Sequence, residues 1–236
     1  MSEPLLSVRG LRNGYGGKPV LQGVDIDVQP GEIVAVIGRN GVGKTTLMRS
    51  LIGLLPLQAG AISWRGETVD RMSAHRRARL GLGYVPQGRD VFPRMSVEEN
   101  LRVGRAVGRG GERSDFDLVY ESFPILQERR KQQAGTLSGG QQQQLAIGRV
   151  LIGRPSLMLL DEPSEGIQPS IVQAIARIAI DLNRTQGLTI ILVEQNLDMI
   201  VAMAQRCLVM DKGRLVATLT PDQLDDREPV RRYLAV

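Results

Sequence analysis

Two reactive side chains are nearly missing from these 236 residues: there is one cysteine, Cys207, and one histidine, His75. A single cysteine excludes an intrachain disulfide and a multi-cysteine zinc site. A single histidine excludes any centre that needs two imidazole ligands. Aromatic residues make up only 3% of the chain, which argues against nucleic-acid binding by bases stacked on exposed rings. No apolar run approaches the ~18–20 residues of a membrane span. The start, Met1-Ser2-Glu3-Pro4-Leu5-Leu6, has neither a basic segment nor a long apolar one, so no secretory signal is expected and the expected location is cytoplasmic. Cys207 stands at the entry to the apolar run Leu208-Val209-Met210 and is expected in the core as a small apolar residue.

What is present suits a folded protein. Hydrophobic residues make 42% and charged residues 23%, which excludes a mostly disordered chain. Lys plus Arg is 30 against 25 for Asp plus Glu, a net charge of +5. That mild excess is compatible with anionic ligands, membrane surfaces or nucleic acid and selects none of them. The length fits one compact domain or two closely joined lobes, at roughly 100–200 residues per domain.

Val24, Ile26 and Val28 alternate with Asp25 and Asp27, the period of a half-buried, antiparallel strand. Ile33 to Ile37, Leu157 to Leu160 and Ile190 to Val193 are unbroken apolar runs, as expected of strands buried on both faces. Between the last two, Pro169 opens a helical pattern with Ile171, Ile175, Ile178 and Leu182 on one face. Strand, helix, strand in that order predicts parallel strands with a right-handed crossover. From Ser96 to Ile152 the signals are helical, beginning with the capping box Ser96-Val97-Glu98-Glu99, and Gly104 to Gly111 reads as a loop. Asp211-Lys212-Gly213-Arg214 joins two apolar runs as a hairpin, and Thr220-Pro221-Asp222-Gln223 caps a last helix. Arg71, Arg76, Arg77 and Arg79 read as one solvated helix face, with His75 at the surface among them. Arg129-Arg130-Lys131 reads as exposed.

Gly38-Arg39-Asn40-Gly41-Val42-Gly43-Lys44-Thr45 matches the phosphate-loop pattern G-x-x-x-x-G-K-[ST]. It follows a buried strand and precedes a helix with Leu47 and Leu51 on one face, which is the context the motif requires. Its glycines let backbone N–H groups and a helix N-terminus face an anion. Lys44 is placed for the β- and γ-phosphates and Thr45 for magnesium, and the candidate nucleotide contacts run on to Thr46. Asp161-Glu162 closes a buried strand, where open α/β sheets bind ligands. Asp161 is the candidate magnesium holder, and Glu162 the group that orients or deprotonates an attacking water. Ser138-Gly139-Gly140-Gln141 is a capping box whose glycines expose N–H groups at a positive helix end, a second anion site.

Together, the phosphate loop, Leu137-Ser138-Gly139-Gly140-Gln141 and Leu159-Leu160-Asp161-Glu162 resemble the ATP-binding subunit of an ABC transporter, over nearly the whole chain. The resemblance implies one nucleotide-binding domain over residues 1–236. Residues 1–88 and 154–236 would form an α/β ATPase core, a parallel sheet with an antiparallel β lobe, and residues 89–153 an α-helical insert carrying the signature motif. It implies ATP and Mg2+ as cofactors, Tyr15 stacked on adenine, and Gln87 as a magnesium sensor and link to the membrane subunit. It implies a head-to-tail dimer in which Ser138, Gly139, Gly140 and Gln141 of one subunit clamp the γ-phosphate held by the other, with Ser164 to Gln168 at the contact. The partners it implies are two membrane permease subunits, a second ATPase subunit, identical or different, and through the permease an extracytoplasmic solute-binding protein, with no nucleic acid. The location it implies is peripheral, at the cytoplasmic membrane face.

One position departs from the family pattern. Where a histidine usually follows the strand, this chain has Gln195, in Val193-Glu194-Gln195-Asn196. An amide donates a hydrogen bond to phosphate but carries no imidazolium charge, so Gln195 is expected to be a weaker phosphate sensor and Glu162 to carry the water chemistry. With Pro86-Gln87-Gly88-Arg89 and Asp90-Val91-Phe92-Pro93, that segment resembles ATPases of branched-chain amino acid importers. Glu165-Gly166-Ile167-Gln168-Pro169-Ser170 resembles the urea and short-chain amide branch more closely. Branched-chain amino acid import is the alternative. A non-transport ABC ATPase acting on ribosomes or DNA is another class, disfavoured by the lack of sustained heptads or a second ATPase unit.

Overall fold

The computed structural model describes residues 3–107, 114–226 and 228–234. A six-stranded sheet has the order β10-β9-β3-β8-β7-β6. Its strands are β3 (Ile33–Ile37), β6 (Leu82–Val85), β7 (Leu157–Asp161), β8 (Thr189–Val193), β9 (Arg206–Asp211) and β10 (Arg214–Leu219). All neighbours are parallel except the β9–β10 hairpin. Every residue of β3, β7 and β8 is buried, which is why these strands read as unbroken apolar runs. A second, antiparallel sheet has the order β2-β1-β4-β5, from β1 (Leu6–Tyr15), β2 (Lys18–Val28), β4 (Ala59–Trp64) and β5 (Glu67–Thr68).

The layers follow from strand alternation. Leu157, Leu159, Ile191 and Val193 point to one face of the parallel sheet and pack with Leu47 and Leu51 of α1 (Lys44–Ile52) and with Val8 and Val24 of the antiparallel sheet. Met158, Leu160, Ile190 and Leu192 point to the other face. They pack with the helical region α3 (Val97–Val107), α4 (Ser114–Ser122), α5 (Pro124–Glu128) and α6 (Gly139–Leu151), and with α7 (Pro169–Gln186). On α7 the expected face is displaced slightly. Ile175 and Leu182 are buried, but the stripe is completed by Val172, Ala176 and Ala179, while Ile171 and Ile178 lie at its border. Cys207 is fully buried, and burial pushes its thiol up to about 12. Beyond the hairpin, Thr220 and Gln223 form the expected capping box on α9 (Pro221–Asp225), but α10 (Glu228–Leu234) follows as a separate last helix.

Two expectations are corrected. Arg77, on α2 (Ala74–Leu80), is not solvated but 1% exposed. Its guanidinium donates to the carbonyls of Ser50 (2.9 Å), Leu51 (2.7 Å), Asp70 (3.1 Å) and Met72 (3.2 Å). It therefore satisfies the Leu51 carbonyl at the C-terminal end of α1 and adds a second donor to that of Ser50, which also accepts the N–H of Gly53 (3.2 Å), while Arg71, Arg76, Arg79 and His75 are exposed as expected. The segment Gly104 to Gly111 does not begin as a loop: α3 continues through Gly104 to Val107, and residues 108–111 lie outside the described residues. Gly104 is there for contact rather than for a turn. A Cβ on it would stand 1.9 Å from the carbonyl oxygen of Arg149 on α6.

Candidate nucleotide site

The loops leaving the C-terminal ends of β3, β7 and β8 converge on one cleft of about 620 Å3. The β3 loop wraps into α1 through three glycines with positive φ, a conformation that side chains rarely adopt. Gly38 has φ 146°, and a Cβ there would stand 2.2 Å from the carbonyl oxygen of Met210. Gly43 has φ 115°, with Leu21 and Val20 at 3.1 and 3.2 Å from such a Cβ. Gly41, at φ 79°, lines the cleft. Arg39 and Val42 contribute backbone: Lys44 Nζ donates to the carbonyls of Gly38 (2.7 Å) and Arg39 (3.0 Å), and the carbonyl of Val42 accepts the N–H of Gly213 (2.9 Å). Burial lowers the pKa of Lys44, and the charges of Glu162, Asp161 and Glu194 work against that shift.

Asp161, at the end of β7, is fully buried. Its Oδ1 accepts the Thr45 hydroxyl at 3.2 Å and its Oδ2 the Tyr84 hydroxyl at 3.1 Å. Burial raises its pKa, and the two hydroxyl donors oppose the rise. Burial beside Asp161 also pushes the Tyr84 phenol well above its ordinary value. Thr46 is buried under the loop and lines the cleft.

Glu162 occupies left-handed backbone space at φ 49°, uncommon for a residue with a side chain. Its carboxylate accepts Gln195 Nε2 at 2.9 Å and Gln87 Nε2 at 3.2 Å, and lies 3.9 Å from Lys44 Nζ. Gln87 also donates to Glu165 (3.0 Å), and Gln195 to Asn40 Oδ1 (2.9 Å). Tyr15 ends β1 at the cleft's rim, 44% exposed, with Arg49 Nη1 3.5 Å from its hydroxyl. The structure thus brings together Tyr15, the Gly38–Thr46 loop, Gln87, Asp161, Glu162 and Gln195.

It does not bring Ser138 to Gln141 into that cleft. They start α6 in the helical region, where the capping box forms: Ser138 Oγ accepts the N–H of Gln141 (3.3 Å) and Gln141 Oε1 accepts the N–H of Ser138 (3.0 Å). Gly140 lies so close to Ile171 that a Cβ would meet it at 2.3 Å. Reading the sequence missed Tyr84 and Arg49, whose contacts are long-range, and Glu194. Glu194 carried the same signal as Asp161, an acid at the end of an apolar strand.

The residues present fit a magnesium–nucleotide pair. The hydroxyl of Thr45, the carboxylate of Asp161 and the amide of Gln87 form a hard, oxygen-rich set suited to magnesium. No cluster of three or more His, Cys, Asp or Glu side chains able to hold a metal occurs among the described residues. Magnesium typically relies on a few protein oxygens together with substrate phosphates rather than on such a cage.

Residues 21–165 match the family described as ABC transporter. This chain belongs to the ABC transporter family. This ABC ATP-binding subunit binds and hydrolyses ATP. It is 43% identical over 216 residues to the high-affinity branched-chain amino acid transport ATP-binding protein BraG of Pseudomonas aeruginosa, covering 90% of this chain and 91% of that one. It is 34% identical over 231 residues to the lipopolysaccharide export system ATP-binding protein LptB of Escherichia coli, covering 96% and 95%. Among solved structures, a nucleotide-free ATP-binding cassette from an ABC transporter superposes with a TM-score of 0.86 at 23% identity, covering 99% of each chain, a likeness of fold. No helix among the described residues of this ABC subunit is long and apolar enough to cross a membrane.

Proposed function

We propose that this chain is the ATP-hydrolysing motor of an importer of the branched-chain amino acid group, with Glu162 as the base that activates water. The observation that carries the reading is the position of Glu162. Its carboxylate closes a buried strand beside Asp161, 3.9 Å from the phosphate-loop lysine, and is held by Gln195 and Gln87.

The chain's own residues divide the work. Tyr15 offers its ring to the base. The N–H groups of the Gly38–Thr46 loop, the start of α1 and the Lys44 ammonium hold the phosphates. Thr45, Asp161 and Gln87 are the residues that would hold magnesium, which would supply charge neutralisation on the phosphate oxygens. Glu162 Oε accepts the proton of the attacking water. Gln195 Nε2 donates to the γ-phosphate without adding charge. Ser138 to Gln141 lie outside their own subunit's cleft with N–H groups at a helix N-terminus. This supports their use by a second ATPase subunit, identical or different, across a head-to-tail contact that includes Ser164 to Gln168. ATP then shifts the pair toward its closed state because it binds that state preferentially.

An apolar groove of about 450 Å3 supports docking on two permease subunits, which would make the protein peripheral at the cytoplasmic membrane face. Leu54, Phe92 and Val107 line it and are exposed, three of the five exposed large hydrophobic side chains among the described residues gathered in one groove. It lies between α2, the residues after Gln87 and the helical insert. The likeness to a branched-chain amino acid transport ATPase supports the group, and import rests on the resemblance of Pro86 to Pro93 and Val193 to Asn196 to importer ATPases. Within that group, Glu165 to Ser170 favour the urea and short-chain amide branch, and the cargo would reach the permease from an extracytoplasmic solute-binding protein.

The test is to isolate the tagged chain from gently solubilised native membranes, identify its partners and measure what their solute-binding protein takes up. Two permeases with a binder of urea or a short amide support the finer reading. A binder of leucine, isoleucine or valine keeps import and changes the cargo. An export partner without any binder, or ribosomes or nucleic acid without a permease, contradicts import.

A further inference from the structure

One further carboxylate in this cleft accepts its hydrogen bonds from backbone N–H groups. Glu194 follows β8 and is 2% exposed. Its Oε2 accepts the N–H groups of Gln195 (2.7 Å) and Asn196 (2.8 Å), and its Oε1 accepts the N–H of Ser164 (2.9 Å). A buried charge is tolerated only when satisfied, and three short charge-assisted bonds do that here.

These bonds have a geometric consequence. Two of them hold the Gln195–Asn196 turn, and Asn196 Oδ1 then caps α8 (Leu197–Met203) by accepting the N–H of Met199 at 3.0 Å. The third crosses to the loop that carries Glu162. In that loop Glu162 sits in strained left-handed space, its N–H bonded to the carbonyl of Val193 at 2.8 Å. Pro163 has no N–H to give. The Ser164 N–H is therefore the next backbone donor after Glu162 that can anchor the segment, and it is anchored on Glu194. Both ends of the 2.9 Å contact between Gln195 and Glu162 are thus referred to one buried side chain.

We propose that Glu194 is a positioning residue. It joins the loops after β7 and β8 and sets the alignment of Gln195 with the Glu162 carboxylate. The inference rests on the reading of Glu162 as the base. Replacing Glu194 by glutamine keeps its size but leaves one acceptor oxygen, so the amide NH2 must oppose either Ser164 or the Gln195–Asn196 pair.

The experiment compares wild type, E194Q, E194D, Q195A, E194Q/Q195A and E162Q in the purified full chain. It measures kcat, KM for ATP, the affinity for a fluorescent ADP analogue and the thermal midpoint. E194Q is expected to lower kcat about tenfold, with KM and ADP affinity within about twofold of wild type. E194Q/Q195A is expected to be no slower than the slower single variant, because both changes break one alignment. E194D keeps the charge and both acceptors on a shorter stem, and is expected to lose part of kcat with its affinity kept. Wild-type kcat in E194Q, additive losses in the double variant, or equal losses of kcat and ADP affinity would overturn the proposal. If E194Q does not fold, E194D decides: wild-type kcat or failure to fold there overturns it too. E162Q separates the two readings. Full turnover in E162Q removes the base, whereas loss of turnover there with wild-type kcat in E194Q removes only Glu194's role.

Discussion

At the scale of single residues, the departure at Gln195 divides charge from geometry. Its amide bridges Glu162 and Asn40, so a side chain without hydrogen-bonding capacity there releases both. Gln195→Ala is expected to lower ATP turnover by about 10-fold or more, whereas Gln195→His, which restores a donor, is expected to retain it. Steady-state turnover of the two variants checks this. Lys44→Ala removes a cation that has neither a short contact with its nearest carboxylate nor bulk water around it. It is expected to weaken nucleotide binding at least about tenfold, read by titration with a fluorescent nucleotide. At this scale the sequence was most legible where chemistry imposes a residue type. Gly38, Gly43, Lys44 and Asp161 stand where motif and strand placement put them. Tyr84 was missed because its role depends on Asp161, far along the chain, whereas Glu194 carried the legible signal of an acid ending an apolar strand and only its bond to Ser164 was out of reach.

At the scale of elements, α1 is held at both ends, by glycine at its start and by Arg77 at its finish. Arg77→Ala would leave several buried carbonyls unsatisfied and open a cavity. We expect a loss of about 3 kcal/mol or more, and so a fall of roughly 6–12 °C in thermal midpoint, measured by calorimetry. Lysine should rescue little of it, since one ammonium cannot reach four carbonyls in the guanidinium's fork. The cap of α3 predicts a pH effect. The Ser96 N–H, then its hydroxyl, hold the Glu99 carboxyl below its ordinary value. A depressed acid contributes stability that is present above its unfolded-state pKa and is lost as pH falls through the folded one. The difference in thermal midpoint between wild type and Glu99→Gln should therefore shrink as pH is lowered through the acid range.

Elements were legible by period where one face or both are buried. The runs in β3, β7 and β8 and the alternation in β2 are such cases. β1 was not seen, because register shifts and Gly10 break its alternation. The four arginines near α2 read as one solvated face because composition does not reveal that Arg77 lies under Gly53 and the end of α1.

At the scale of the whole molecule, the cleft and the α6 start do not meet within one chain. The cleft is lined by the phosphate loop, Glu162 and Gln195, and the α6 start presents its capping box elsewhere. Ser138→Ala is accordingly expected to lower turnover while leaving the affinity of a single subunit for nucleotide within about twofold of wild type, which dilute-limit binding and turnover assays distinguish. The layered fold makes this arrangement possible. The strand ends of the parallel sheet place Asp161, Glu162 and Gln195 on the cleft, and the helices that carry Ser138 to Gln141 share a core with the opposite face of the same sheet.

The most direct measurement is ATP turnover by Glu162→Gln with nucleotide affinity determined on the same sample. The account predicts turnover at least about 100-fold below wild type with affinity unchanged, because the proton acceptor is lost while the phosphate cradle is kept. Wild-type turnover in that variant would contradict it.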